Sequence, residues 1–492
     1  MQSFWEEERK NYKEYESIKN DMKTSVCVVG GGLTGLTTAY YLSKYTNVVL
    51  LERDRICSRT SGRNTGKVTS QHGVFYKYLI DSQGKEFAKK YLEANQKAIE
   101  NISEIVQSEK IDCDFKREKA YVFTAKETEV DKLKKEQRAV DKLEKDLCQY
   151  VTKAELPMEI AGAIEFCEQA KLHPVKYGYG LAKCIVNNRI YENSQVTDIK
   201  KVDGKYEVYV NKNKVTADYV VIATRYPFIK IPGYYFLKMY QSTSYAIIVD
   251  VKSKLFDGMY INYEVPNMSF RVIEDNGKKL LLAVGYDYKT GTEELKNGYT
   301  RLETAVRKMY PDAEVLYKWS AEDCISLDKI PYIGDFSVTM PNVYVATGFN
   351  KWGITSSNVA ANIIADKILG KENEYEDLFK ARRVEPIKNR VEVGNMLKEA
   401  NKSILMSRFK IPKDEMDDIK IGEGKIIEID NKKVGVYKAN TGEIFKVKPV
   451  CTHLGCELYF NNIDKTWECP CHGSKFSYDG KSIEVPSNKN LE

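Results

Sequence analysis

The stretch that most limits what this 492-residue chain can fold into lies near its end. "CTHLGCELYFNNIDKTWECPCHGSKF", residues 451–476, holds four of the 11 cysteines and two of the 4 histidines. Two ligand pairs stand out, Cys451-x-His453 and Cys469-x-x-His472. Two cysteines and two histidines can bind zinc tetrahedrally. They can also hold a two-iron, two-sulfide cluster, with one iron on the cysteines and the other on the histidines. A unit made of disulfides alone would leave both histidines without a role. The remaining cysteines (Cys27, Cys57, Cys113, Cys148, Cys167, Cys184 and Cys324) are scattered singly, unlike a secreted disulfide framework.

A chain of this length exceeds what one core usually supports, so more than one domain is expected. Its 42% hydrophobic and 30% charged residues are ordinary for a globular protein. The formal charge of +6 comes from 76 basic against 70 acidic residues, a near balance that argues against nucleic-acid binding. Lysine-rich runs such as "KLKKEQRAVDKLEKD" (132–146) mix both signs at helical spacing and read as a solvated helix face. The most apolar stretch, residues 25–42, is broken by glycines and threonines, so no membrane span is expected. The first 21 residues are charged and lack the apolar region of a secretory signal, which reads as a cytoplasmic protein.

Residues 24–52 read as strand, glycine turn, helix and strand. Gly30, Gly32 and Gly35 have the G-x-G-x-x-G spacing, and Glu52 ends the second strand. Glycines at those places let the backbone approach a pyrophosphate lying on the helix N-terminus, and the acid can accept from ribose hydroxyls. Periodicity does not decide between FAD and NAD. A long amphipathic helix follows over 83–109, with strands over 186–223 and 238–286. "NVYVATG" (342–348) is a further buried strand, followed by a helix. A polar, helix-prone connector over 373–412 precedes short strands with turn signals, which indicate a small all-β module over 413–492.

The first 370 residues or so resemble the FAD-dependent oxidoreductases of the D-amino-acid oxidase, glycine oxidase and sarcosine oxidase superfamily. The resemblance rests on "VVGGGLTGLTTAYYL", "SGRNTGKVT" (61–69), "HPVKYGYGLA" (173–182), "ENSQVTDI", "ADYVVIAT", "DKIPYIG" and "VYVATGFNKWGIT" (343–355), in family order. It implies FAD and an α/β, Rossmann-like FAD-binding domain of the glutathione-reductase type, in segments near 24–75, 150–230 and 330–370. It also implies an antiparallel-sheet substrate domain in segments near 76–149 and 231–329. By the same resemblance Val196 touches the adenine end, Thr65, Gly66 and Lys67 lie near the flavin ring, and Gly348, Gly353 and Thr355 bring a helix N-terminus to the flavin's pyrimidine edge. A helix N-terminus there suits the negative charge of reduced flavin.

One departure concerns the substrate. Amino-acid oxidases of this kind place an arginine five residues before the aspartate of D-x-x-P-x-I-G, to clamp a carboxylate. Here that aspartate is Asp328, and Asp323 stands at the arginine's place beside Glu322. An acid pair would attract a cation, which favours an amine over a simple α-amino acid. The other reading leaves both acids in solvent or in a family-specific turn. Cys324, in a region where some sarcosine oxidases bind flavin covalently, reads as a buried structural cysteine. The candidates for catalysis are His72, Lys67 and Asp323, while His173 reads as shaping a loop before Pro174. Hydride transfer from a neutral amine needs no obligatory protein base.

The loops "CTHLGC" and "CPCHGS" resemble those of the Rieske family nearly letter for letter. That resemblance implies a [2Fe–2S] cluster on Cys451, His453, Cys469 and His472. It also implies a disulfide between Cys456 and Cys471, unusual in a cytoplasmic protein and shielded there by burial. Respiratory Rieske proteins follow the second loop with x-Tyr, whose hydroxyl, like that of the serine, bonds sulfur. Ser474 is present here, but Phe476 replaces the tyrosine.

Together these readings describe a flavin dehydrogenase. It would oxidise a small amine or amino-acid-like substrate and pass electrons singly through the cluster to an external acceptor. The alternatives are an NAD(P)H-fed reductase running the reverse way, for which the sequence offers no second dinucleotide motif, and a non-catalytic redox carrier or sensor.

Overall fold

The computed structural model describes residues 2–292, 297–383 and 415–492. Met22–Val29 is the central strand of the first eight-stranded sheet, parallel to Val48–Leu51 on one side and Asn213–Ile222 on the other. Val196–Val202 and Lys205–Val210 extend this sheet antiparallel. Met340–Thr347 joins Asn213–Ile222 in parallel and pairs back with Tyr332–Ser337. Every residue of Val48–Leu51 is buried, which is why such strands read as unbroken apolar runs. The helices Leu33–Ser43 and Gly353–Ile368 are buried on nearly every side, and the Thr34 and Ser357 hydroxyls near their N-termini meet at 2.9 Å.

The second eight-stranded sheet runs in the order 314–326, 239–250, 278–289, 268–275, 259–262, 120–124, 162–166, 148–151. It is antiparallel except where Met259–Asn262 lies parallel to Ala120–Thr124. This moves one expected boundary. Cys148–Val151 pairs with Gly162–Phe166, which pairs in turn with Ala120–Thr124, so the FAD-side segment placed from about 150 begins some way after Phe166. The helix expected over 83–109 spans Lys85–Ser108 and buries Tyr91, Leu92, Ala98, Ile102 and Ile105 along one stripe.

The connector read over 373–412 starts with a 3-10 turn at Glu376–Phe379, and Arg383 pairs with Asp328 at 2.6 Å. Its residues 384–412 lie outside the described residues. Beyond it stand a three-stranded sheet (424–429, 432–438, 444–447) and a four-stranded one (459–461, 466–468, 475–477, 482–484). Among the described residues no helix is long and apolar enough to cross a membrane.

Candidate functional site

Gly30 has φ +111°, and a Cβ there would lie 2.5 Å from the Ala223 carbonyl oxygen. A Cβ at Gly35 would come within 1.9 Å of the Gly30 carbonyl oxygen, so these glycines set how closely turn, strand and helix approach. The Ser61 hydroxyl accepts from the Leu33 amide at 3.0 Å at the start of the helix. Glu52 accepts from the Gly31 amide at 2.6 Å and the Asp54 amide at 2.8 Å, and burial pushes its carboxyl up. Gly30, Gly32, Glu52 and Val196 all line one continuous cavity.

The same cavity runs on to Thr65, Lys67, Asp323, Gly348 and Gly353. Gly35, Gly66 and Thr355 stand behind its wall. Gly66 (φ +67°) fits where a Cβ would meet the Leu172 carbonyl oxygen at 2.4 Å, and Thr355 donates to the Thr69 carbonyl at 3.2 Å. Two helix N-termini, at Leu33 and Gly353, therefore open on one cavity, a setting that favours negative charge. Asn350 and Lys351 are both left-handed (φ 52° and 74°), a strain usual at functional sites. Lys351 pairs with Asp287 at 2.7 Å.

Of the catalytic candidates, His72 is not available as a base. Its Nδ1 lies 2.9 Å from the Tyr91 hydroxyl and its Nε2 3.0 Å from the Thr69 carbonyl. It stacks on Trp352 rather than facing the cavity, and burial holds it neutral, at about 3. Lys67 donates to the Tyr260 carbonyl at 2.8 Å and the Ser269 hydroxyl at 2.7 Å, and burial holds its ammonium well below the usual range. His173 caps the helix Pro174–Cys184, as its loop role implied. Cys324 lines the cavity with its thiol pushed up to about 12 by burial.

The acid pair is not a pair in space. Neighbours on a strand point to opposite faces, and Glu314–Ser326 is a strand. Asp323 and Ala321 line the cavity, whereas Glu322 faces away to the Lys475 ammonium at 2.7 Å. Burial raises the Asp323 carboxyl, against the pull of Lys351.

At the other centre, two loops of the same design face each other. The Gly455 amide donates to the Cys451 carbonyl and the Gly473 amide to the Cys469 carbonyl, both at 2.9 Å. Cys456 and Cys471 form the disulfide. The Cys469 thiol hydrogen-bonds Cys451 and draws it down to about 7. The His453 and His472 ring centroids lie 5.0 Å apart, and each ring leaves a buried Nδ1 with no partner. Burial keeps both imidazoles neutral, at about 3 and about 4. Two neutral ring nitrogens with open lone pairs beside two adjacent sulfurs fit a cluster with mixed ligands. The His472 ring also hydrogen-bonds the Phe236 backbone, the outer-shell contact that orients a ligating histidine.

The Ser474 hydroxyl bonds the Cys451 sulfur, and Phe476 is fully buried in the same apolar cluster as Cys451 and Cys469. Phe476→Tyr should add a second hydroxyl donor to sulfur, worth about 1 kcal/mol. Favouring the reduced form by that much raises the one-electron potential by roughly 40 mV. Voltammetry of the purified variant measures it, and an unchanged or lower potential would contradict the assignment.

Sequence reasoning missed the residues that join the two centres. Phe236 covers the histidine edge, with centroids 6.2 Å from His453 and 5.8 Å from His472. Gln241 donates to the His472 carbonyl at 2.7 Å, Lys230 donates to the His453 carbonyl, and Arg225 pairs with Glu484 at 2.8 Å. None has a local motif, because each is defined by a contact more than 200 residues away.

Comparison with known proteins agrees with this geometry. Residues 25–367 match the family of FAD dependent oxidoreductases (DAO), and residues 410–492 match the Rieske [2Fe-2S] domain. A Bacillus subtilis (strain 168) protein, YhfW, described as a Rieske 2Fe-2S iron-sulfur protein, is 35% identical over 97% of this chain and 94% of its own. Gamma-glutamylputrescine oxidoreductase of Escherichia coli (strain K12) is 24% identical over 76% of this chain and 90% of its own. In fold, glycine oxidase from Geobacillus kaustophilus superposes with a TM-score of 0.63 at 19% identity, covering 74% of this chain and all of that one. The chain thus belongs to the DAO family of FAD-dependent oxidoreductases, and it carries a Rieske [2Fe–2S] domain behind the flavin domain.

Proposed function

We propose that the chain is a dehydrogenase acting in the cytoplasm. It oxidises a small amine or amino-acid-like substrate and passes the electrons singly to an external acceptor. FAD supplies two-electron acceptance from the substrate, and the cluster supplies one-electron transfer. Gly30, Gly32 and the Leu33 turn would hold the pyrophosphate, Glu52 the ribose and Val196 the adenine. Thr65, Lys67 and the Gly348–Gly353 loop would surround the ring. Asp323, in the cavity wall, would hold a substrate ammonium and take its proton. Lys351, tied to Asp287, sets the opposite charge beside it.

The observation that carries this reading is one strand, Met239–Asp250. Its Gln241 bonds the His472 carbonyl, and its Ser244 and Ala246 line the flavin cavity. Three residues of strand, about 10 Å, separate the cluster loop from that wall. One similar protein is named for an amine, gamma-glutamylputrescine, and one fold neighbour for an amino acid, glycine.

The test is anaerobic mixing of the purified holoprotein with a panel of amines, amino acids and NAD(P)H. An amine is expected to bleach the flavin absorbance first and the cluster absorbance second. Reduction by NAD(P)H alone would overturn the proposal in favour of reverse flow.

A further inference from the structure

The cavity wall is not built by the flavin domain alone. Glu484, Val485 and Asn488, from the last Rieske strand and the segment behind it, line it as well. They are held there by bonds across the domain boundary. Arg225 contacts the Glu484 carboxylate at 2.8 Å and Arg59 contacts it at 3.5 Å, while Glu484 itself is buried. Arg53 donates to the Ile483 carbonyl at 2.9 Å, and Gln241 donates to the Val485 carbonyl at 2.7 Å. Arg225 sits at φ +64°, a conformation that costs a non-glycine residue energy and persists only when its surroundings impose it.

The contacts of Ile483 and Asn488 lie at one end of the cavity, whereas those of Glu484 and Val485 reach toward its middle, through Arg225, which also donates to the Glu322 carbonyl, and Gln241, which faces Cys324 in the sheet. Gln195 donates to the Asn488 carbonyl at 3.4 Å, and Gln195 stands next to Val196. Arg53 stands next to Glu52. This is the end where the strands of the first sheet finish and where such folds bind the nucleotide. Asp323 and Lys351 mark the other end.

We propose that the Rieske domain completes the FAD site, enclosing the adenosine half of the cofactor between the nucleotide-binding fold and residues 484–488. Binding of FAD and docking of the Rieske domain then stabilise each other by the same coupling free energy, read from either side. The proposal concerns cofactor retention and holds whatever the substrate is.

The test uses the full chain with its cluster in place and its flavin removed, titrated with FAD and separately with FMN, which lacks the adenylate. Val485→Asp places a carboxylate in the wall and is expected to weaken FAD at least about tenfold, with FMN affinity unchanged. Asn488→Ala should weaken FAD by about threefold in the same selective way. Saturating FAD should also raise the temperature at which the cluster absorbance of the parent protein is lost. The electron paramagnetic resonance signal of the reduced cluster shows that each variant keeps a folded Rieske domain. Should Val485→Asp lose that signal, Asn488→Ala decides by the same criterion. FAD affinities within twofold of the parent, or equal losses for FAD and FMN, would overturn the proposal.

Discussion

Lys475→Met is expected to lower the stability of the docked protein by about 3–5 kcal/mol, the usual cost of leaving buried charge unpaired. The Lys475 side chain is 4% exposed and lies 2.7 Å from Glu322 of the flavin domain, 3.1 Å from Glu468 and 3.9 Å from Asp464. Burial opposes its charge, but these three carboxylates outweigh burial and hold its pKa well above the ordinary value. Its contribution is thus complete below the unfolded lysine value near 10.4 and is lost as pH rises through the folded one. Glu322 behaves in the opposite sense. Burial would raise it, yet Lys475 and Arg225 bring it down to about 2, so its contribution is present above pH ~4.3 and fades as pH falls toward 2. Burial raises Asp464, which therefore works against folding when ionised.

Methionine removes the one cation on which all three acids converge. The variant should therefore gain stability as pH falls from 8 to about 5 and the acids protonate, whereas the parent should not. Urea unfolding at several pH values, followed at the cluster absorbance, reads both effects. Equal pH profiles for the two proteins would remove the ion cluster from the account. Adding Glu322→Leu to the variant should restore only part of the loss, since Glu468 and Asp464 stay buried.

The second large effect is expected at Gly291, on the flavin-domain side. With φ +82°, a Cβ there would lie 2.4 Å from the Pro470 nitrogen and 2.5 Å from the Cys469 carbonyl carbon. Alanine brings left-handed strain of about 1–2 kcal/mol and overpacking of about 1–3 kcal/mol. The simplest relief is for the cluster loop to move away, and even about 2 kcal/mol shifts that balance some 30-fold. Gly291→Ala, kept saturated with FAD, should therefore slow cluster reduction while reduction of the flavin itself proceeds as in the parent. Photochemical reduction of the flavin under anaerobic conditions, with the cluster absorbance followed in time, separates the two. A variant whose cluster is reduced as fast as the parent's would show that this contact does not hold the cluster in place.

What the sequence made legible was set by local geometry. Gly35 is dictated by the Gly30 carbonyl of the same turn, and the two cluster loops need cysteine and histidine at fixed short spacings, whereas the Ala223 carbonyl that crowds Gly30 comes from far along the chain. Glu322 and Asp323 misled because adjacency in sequence means opposite faces on a strand. The alternation of "SAEDCIS" was there to be read that way. His72 looked like a free base, since nothing nearby shows that the Tyr91 hydroxyl occupies its Nδ1. Lys475 carries no signal of its own between Ser474 and Phe476. Its role depends on Glu322, which lies 153 positions earlier and reaches it only through domain docking.

The position of Glu484 in the cavity wall also fixes an order of events. Arg225 and Glu484 touch across about 260 residues of chain, which a ribosome adding about 5–20 residues per second needs roughly 13–50 s to make. Within that interval the nucleotide-binding fold is completed by the strand Met340–Thr347 and the helix Gly353–Ile368, while one side of its cavity has yet to be synthesised. Tight loading of the flavin therefore belongs to the finished polypeptide and not to the nascent one.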